Sequence, residues 1–302
     1  MTHPITDGFA EGQSAQGQFQ EGQFQEGQLP HGQLPHGQLP QDQLPHGQFA
    51  KGQFTPDPRP SAPARMITAS AGLELRLTLR NGEQLLLALI IPLAALIGGT
   101  FVTVIALPEP RIDSVTPGVL ALAVLSTAFT SQAITTGFDR RYGVLKRLAA
   151  AGMSRPQLIA GKAAAALAVV AGQFVVLGGV ALALGWHPEG SPLWLLVVTV
   201  LGTAALLGLA LLLGGTLRAE GVLALANILW LIMVALGGVV VPLSSAPPWL
   251  QTVGELTPVG ALSQALRAVL ESGQAPSWQS LAVLAGWLVL GWAGTVRWFR
   301  WQ

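Results

Sequence analysis

Six long apolar segments follow one another from residue 84 to the end of the chain, separated by short polar connections except before the last. Each has close to the roughly 20 residues that an α-helix needs to cross the hydrocarbon core of a bilayer. No ionisable side chain lies near the middle of any of them. The pattern predicts an all-α membrane protein with six transmembrane helices, at about 84–107, 115–137, 159–185, 193–215, 221–241 and 279–299.

Shorter amphipathic segments accompany these spans. Residues 66–83 alternate apolar residues with Glu and Arg at helical spacing, which predicts an N-terminal helix in the headgroup plane with its apolar side down. Two short external helices are predicted between the fifth and sixth spans, at about 247–256 and 258–271. Pro258 separates them because proline is tolerated at the start of a helix but not in its interior.

The connection between the second and third spans is a basic island, residues 139–162, which holds six of the sixteen Lys and Arg residues. We predict a short amphipathic helix over 139–150 that begins at its aspartate, a residue favoured at helix starts. Gly152 is a suitable helix stop. Ser154, with Gln157 three residues later, predicts a capping box that opens the third span.

Charge predicts the orientation of the spans. If both termini are cytoplasmic, fourteen of the sixteen Lys and Arg residues lie on the cytoplasmic side, and only Arg111 and Arg267 lie outside. Such a bias is typical of membrane proteins, so we expect a multi-pass protein of the cell (inner or plasma) membrane, embedded in the lipid bilayer. A net charge of +1 gives no indication of a nucleic-acid partner.

The N-terminal part has a different character, because residues 11–55 are nine consecutive five-residue units rich in Gly, Gln and Pro. A pentapeptide-repeat β-helix is one interpretation of this period. The density of Gly, Pro and Gln favours disorder instead. We therefore divide the chain into a low-complexity, disordered pentapeptide-repeat tail, 1–65, and a six-helix transmembrane domain, 66–302.

The basic island begins Asp-Arg-Arg-Tyr-Gly-Val-Leu-Lys-Arg-Leu and continues to a proline and then Gly-Lys. It resembles the cytoplasmic segment of type-2 ABC exporter permeases, although Asp139 replaces the usual Glu and Val144 the usual Thr. The resemblance implies a coupling helix that docks on a separate ATP-hydrolysing subunit. A generic basic loop at the membrane surface is the alternative. The docking residues implied are Asp139, Arg140, Arg141, Gly143, Leu145 and Pro156.

The connection between the fifth and sixth spans resembles the external segment of the same family. It shares a Pro-Trp-Leu start, a central Leu-Thr-Pro and an arginine near the end, carried here by Pro242, Trp249, Pro258 and Arg267. An ordinary interfacial re-entrant loop is the alternative. The resemblance covers roughly residues 66–302 and implies an ABC exporter transmembrane domain.

The chain lacks the residues that several chemistries need. Gly161-Lys162 is not part of a phosphate-binding loop, so we expect this chain to be no enzyme and to bind no cofactor, with ATP and Mg²⁺ held by the partner subunit. The absence of ionisable groups at membrane depth argues against a secondary transporter. The chain contains no cysteine, which excludes disulfides and thiolate metal sites.

The polar groups within the spans are hydroxyls and amides. They either let helices pack closely and bond to one another, or line a translocation path. By the resemblance, the second and fifth spans face a cavity between two permease copies. The path-lining candidates are Ser126, Thr130, Ser131 and Asn227.

We therefore expect the transmembrane permease subunit of an ATP-driven ABC exporter, which forms the translocation path and couples to a separate ABC ATP-binding subunit. A second permease copy, identical or related, completes the path. The alternative is a non-transport multi-pass scaffold or immunity protein. The cargo is open, since family members move drugs, lipids, glycans and peptides, and the uncharged spans favour an amphiphilic or hydrophobic one.

Overall fold

The computed structural model describes residues 62–80, 82–102 and 109–299, with only the backbone of 83–87. Every regular element in these ranges is a helix, so the all-α class is confirmed for the described chain. The helices are α1 Pro63–Arg80, α2 Gly82–Phe101, α3 Arg111–Val124, α4 Gln132–Arg141, α5 Val144–Ala150, α6 Arg155–Ala183, α7 Pro192–Thr216, α8 Ala219–Leu236, α9 Pro248–Leu256, α10 Pro258–Leu270 and α11 Trp278–Trp298. A π-helical turn, Leu125–Ser131, joins α3 to α4, and a 3₁₀ turn, Leu243–Ser245, precedes α9.

Five helices of the described chain are long and apolar enough to cross a membrane. They are the continuous helix Arg111–Arg141, made of α3, the π-helical turn and α4, together with α6, α7, α8 and α11. These match the second to sixth predicted spans. The first predicted span corresponds to α2, of which Ala88–Phe101 is a shorter apolar stretch, and its predicted end at 103–107 lies outside the described residues.

The tail predicted over 1–65 lies outside the described residues except for its last four. Of these, Pro63 already opens α1, so this helix begins three residues before the predicted start at Met66. The shift has a physical reason, since the fixed φ of proline and its missing N–H suit the first turn of a helix. At the other end, α1 stops at Arg80 rather than at residue 83.

The second span, Arg111–Arg141, is the central helix, and every residue of its α3 part except Asp113 is buried. It packs against α2, α6, α7, α8 and α10. Large side chains such as Leu120, Leu125 and Phe129 fill the space between it and these neighbours, each no more than 2% exposed. By contrast, little of α8 is buried, which leaves the fifth span at the edge of this single chain.

The last span, α11, packs along α7 through glycines on both helices. A Cβ placed on Gly291 would lie 2.9 Å from the carbonyl carbon of Gly208, so the two backbones touch. The Thr295 hydroxyl donates to the Gly208 carbonyl oxygen at 2.9 Å, and the Trp292 indole N–H donates to the Ala204 carbonyl oxygen at 3.0 Å. Close small-residue contacts of this kind drive helix association in lipid, where apolar burial adds little.

We predict that Gly291→Ala destabilises the protein by roughly 1–3 kcal/mol, because the added methyl group forces α7 and α11 apart. The control is Gly286→Ala on the same helix, since a Cβ at Gly286 meets nothing within 4 Å. The measurement is unfolding of the purified protein in mixed detergent micelles. Equal stability of the two variants would contradict the contact.

Candidate coupling site

A glycine, not an aspartate, marks the break after the second span. The helix α4 continues through Arg141, and Gly143 then adopts a left-handed conformation with φ 70° and ψ 16°, which costs a side-chain-bearing residue about 1–2 kcal/mol. The predicted start at Asp139 is therefore wrong, because this residue lies in the last turn of α4. Its carboxylate pairs with the ammonium group of Lys162 on α6 instead of capping a helix.

The short helix α5 ends in a Schellman motif, which confirms Gly152 as its stop. Gly152 has φ 85° and donates its N–H to the Ala149 carbonyl oxygen at 3.0 Å. The Met153 N–H donates to the Leu148 carbonyl oxygen at 3.1 Å, as this motif requires. The chain therefore turns sharply after α5 and leads directly into α6.

The start of α6 confirms the predicted capping box. The Ser154 N–H donates to Oε1 of Gln157 at 2.9 Å, and the reciprocal bond is also present. Pro156 lies in the first turn, where it costs no helical hydrogen bond, and it is exposed beside the end of α5.

Leu145 is the one buried residue of the short helix α5. It is 0% exposed and packs with Leu158 and Phe299, so it anchors α5 against the spans rather than forming part of the outer surface. Exposed residues surround it, among them Tyr142 and Lys146. We call the surface at this turn the docking face and define it by the half-buried Gly143 and the exposed Tyr142, Lys146, Ala149 and Ala150.

The two arginines that precede the break bond within the chain. The Arg140 guanidinium donates to the carbonyl oxygens of Gly215 and Leu217, where the last carbonyls of α7 lack helical partners. Arg141 pairs with Glu220 in the first turn of α8. Both side chains of that pair are at least half exposed, so the pair contributes only about 0–1 kcal/mol.

A buried lysine joins three helices at the same end of the bundle. Lys162 on α6 is 1% exposed, and its ammonium lies 2.9 Å from Oδ2 of Asp139 on α4 and 2.5 Å from Oε1 of Glu74 on α1. Beside it, a Cβ on Gly161 would lie 2.5 Å from Oγ of Ser70, so α1 and α6 touch closely. We call Lys162, Asp139 and Glu74 the charge cluster.

Sequence reasoning missed the role of Glu74. The partner of Lys162 lies 88 residues away along the chain, and no local spacing indicates such a pair. One indication was present, because Glu74 is the only acidic residue of α1, and the other charged residues of this helix are all arginines. A lone carboxylate facing the body of the protein requires a cationic partner.

At the opposite end of the bundle, a second buried charge organises the connection between α8 and α11. The Arg267 guanidinium, 5% exposed, donates to the carbonyl oxygens of Ser114 at 2.5 Å and Gly238 at 3.2 Å, and to Oε1 of Glu271 at 3.4 Å. Burial lowers the pKa of Arg267 from its ordinary value, and the Glu271 carboxylate partly opposes that shift. Arg267 thus ties α10 to α3 and to the end of α8.

The other three residues of this predicted segment have distinct places. Pro242 and Pro258 are buried, the first before the 3₁₀ turn and the second as the first residue of α10. Thr257 caps α10 by accepting the Gly260 N–H at 3.0 Å. Trp249 is 66% exposed in the first turn of α9. Helices thus occupy both predicted ranges, and α10 is by far the more buried of the two.

The path-lining candidates occupy two environments. Ser126, Thr130 and Ser131 lie within the π-helical turn of the buried second span, and the Ser126 hydroxyl accepts the Trp230 indole N–H at 3.0 Å. The neighbouring Thr127 donates to Oε1 of Gln173 on α6 at 2.8 Å. These bonds between helices support a packing role for the hydroxyls. Asn227, in contrast, is exposed on α8.

We predict that Lys162→Met destabilises the protein by roughly 3 kcal/mol, because two carboxylates then face each other without a cation. Lys146→Met is the matched control, since Lys146 is exposed on α5. The measurement is again unfolding in detergent micelles. A loss of stability no greater than that of the control would show that the charge cluster does not hold α1, α4 and α6 together.

Comparison with known proteins identifies the family of this chain. A family model described as ABC-2 type transporter matches residues 67–270, which is more than half of the chain and includes most of α1, the basic island and α10. No curated protein sequence matches the chain. With its five candidate spans, the chain is a multi-pass membrane protein and a transport component. It belongs to the ABC-2 type transporter family and is an ABC transporter permease.

Proposed function

We propose that this permease is the transmembrane subunit of an ATP-driven exporter, forming the translocation path and coupling to a separate ABC ATP-binding subunit that holds ATP and Mg²⁺. The observation that carries the proposal is the docking face, a surface at a short helix that the buried side chain of Leu145 anchors. A helix so placed presents a surface to a partner while its buried side remains fixed to the spans.

The contacts around α5 supply a route for motion. A displacement of α5 reaches α4 through the turn at Gly143 and α6 through the turn at Gly152. From α4, Arg140 reaches the end of α7 and Arg141 reaches the start of α8. Four spans are therefore joined to the docking face by short, direct contacts, which supports a role in transmitting the conformational change of an ATPase.

We propose that the protein lies in the cell membrane, with the docking face and both termini on the cytoplasmic side. Fourteen of the sixteen Lys and Arg residues then lie on the inner side, as membrane proteins prefer. The helix pair α9–α10 then lies at the outer surface, where Arg267 joins α10 to α3 and to the residue Gly238 that follows α8. In this arrangement, the segment covers the outer ends of the second and fifth spans.

We further propose that a second permease copy, identical or related, packs on α8. Little of this helix is buried, and Leu223, Ile228 and Leu231 lie on its exposed surface. Asn227 stands among them, and its amide donates to the Leu223 carbonyl oxygen at 2.9 Å. An exposed amide within an apolar span is costly in lipid, and hydrogen bonding across two helices relieves that cost. A path between two such uncharged spans suits an amphiphilic or hydrophobic cargo.

The docking proposal predicts that Gly143→Trp leaves the protein inserted but prevents coupling. A Cβ at Gly143 meets nothing within 4 Å, so the indole has no clash with the fold, and the left-handed conformation costs this variant about 1–2 kcal/mol. Gly143→Asn is the control, because asparagine tolerates the left-handed conformation with far less bulk. The measurements are recovery of the cognate ATP-binding subunit by co-purification, and ATP turnover of the reconstituted complex.

We expect Gly143→Trp protein to lose both recovery of the ATP-binding subunit and ATP turnover, and Gly143→Asn protein to retain both. If well-expressed Gly143→Trp protein recovers the ATP-binding subunit normally and the complex turns over ATP at the native rate, the partner does not dock on this face.

The dimer proposal predicts that Asn227→Leu weakens association of two permease copies by roughly 1–2 kcal/mol, or about tenfold in the dissociation constant. Ile228→Leu is the control on the same helix, since it keeps volume and removes no polar group. The measurement is subunit counting by single-molecule photobleaching in lipid bilayers. An unchanged dimer fraction for Asn227→Leu would place the interface elsewhere.

A further inference from the structure

The outward side of α1 carries a row of arginines. Arg65, Arg76 and Arg80 are all exposed, and none has an ion-pair partner among the side chains that the structure describes. Arg76 follows Arg65 by eleven residues, close to three helical turns, and Arg80 follows Arg76 by four. These spacings bring the three guanidinium groups to one side of the helix.

The only carboxylate of α1 is turned away from this row. Glu74 is 16% exposed and bonds to the buried ammonium of Lys162, so its charge is neutralised on the packed side of the helix. Ser70, one turn earlier, is buried against Gly161 on the same side. The exposed side of α1 is therefore cationic throughout, with no acidic side chain of its own.

Leucines flank the arginine row. Leu73, Leu77 and Leu79 are between 51% and 60% exposed, and a group of exposed large apolar side chains marks a surface that an apolar partner covers. Arginine beside exposed leucine is typical of a helix at a membrane interface, where the apolar side chains enter the acyl region and the guanidinium groups extend to the headgroups.

We propose that this side of α1 is a binding surface for anionic phospholipid headgroups. A guanidinium group binds a phosphate through two parallel N–H···O bonds. A zwitterionic headgroup offers the same phosphate together with a compensating ammonium, whereas an anionic headgroup does not, so the row selects net negative charge. The bound lipid lies against α1, and α1 in turn is held to α4 and α6 by the charge cluster.

The absence of cysteine makes a site-specific test direct. Ala69 is exposed among the arginines, and full-length Ala69→Cys protein would carry one fluorescent label there. The protein is reconstituted into vesicles of phosphatidylcholine and phosphatidylglycerol in fixed proportion, with bromine on the acyl chains of one lipid or of the other. The readout is the ratio of quenching by brominated phosphatidylglycerol to quenching by brominated phosphatidylcholine.

We expect quenching to favour phosphatidylglycerol at low salt, and the preference to fall by roughly fivefold for each arginine removed in Arg76→Gln and Arg80→Gln. Added salt should reduce it as well. Lys146→Gln removes the same charge from α5 and should leave the ratio unchanged. A label at Val175→Cys, on the exposed side of α6, should show no such preference.

Equal quenching by the two lipids overturns the proposal, as does a preference that survives in the Arg76→Gln/Arg80→Gln variant. Absence of quenching by either lipid also overturns it, because the surface then contacts protein or water. No ATP-binding subunit is present in this measurement, so its failure leaves the transport proposal standing, and loss of coupling in Gly143→Trp leaves the lipid surface standing.

Discussion

The arrangement of this permease at its basic end depends on one buried ammonium group. Lys162 is removed from water, and an ammonium in such a place requires carboxylates within bonding distance. Asp139 comes from the end of the second span and Glu74 from the N-terminal helix, so meeting this requirement brings three helices to one point. A buried ion pair adds little net stability, but it permits few alternative arrangements of the helices that supply it.

Between the two ends, the helices are held by other means. Lipid offers apolar side chains as good an environment as a neighbouring helix does, so close contact and hydrogen bonds must supply the association energy. The backbones of α7 and α11 are in close contact at Gly208 and Gly291, and the hydrogen bond from Thr127 to Gln173 joins the second span to α6. Arg267 closes the opposite end by bonding to the carbonyl oxygens of Ser114 in the first turn of α3 and of Gly238 just after α8.

The features that sequence predicted well are local ones. The spans follow from runs of apolar residues, and the stop at Gly152 and the capping box at Ser154 follow from neighbours within four residues. The prediction for Asp139 was wrong because a tertiary partner, not the local helix start, determined its place. Burial of Leu145 likewise depends on packing with Leu158 and Phe299, which no local pattern reveals.

The charge cluster has a consequence for biosynthesis. The helix α1 leaves the ribosome before the other helices that the structure describes, yet its carboxylate at Glu74 meets its partner only after 88 more residues have been made. The long helix Arg111–Arg141 must therefore be made before α1 gains this tertiary contact. Contacts so distant in sequence form late, because the intervening chain must be ordered first. The earliest of the described helices to be synthesised is thus among the last to form its tertiary contacts.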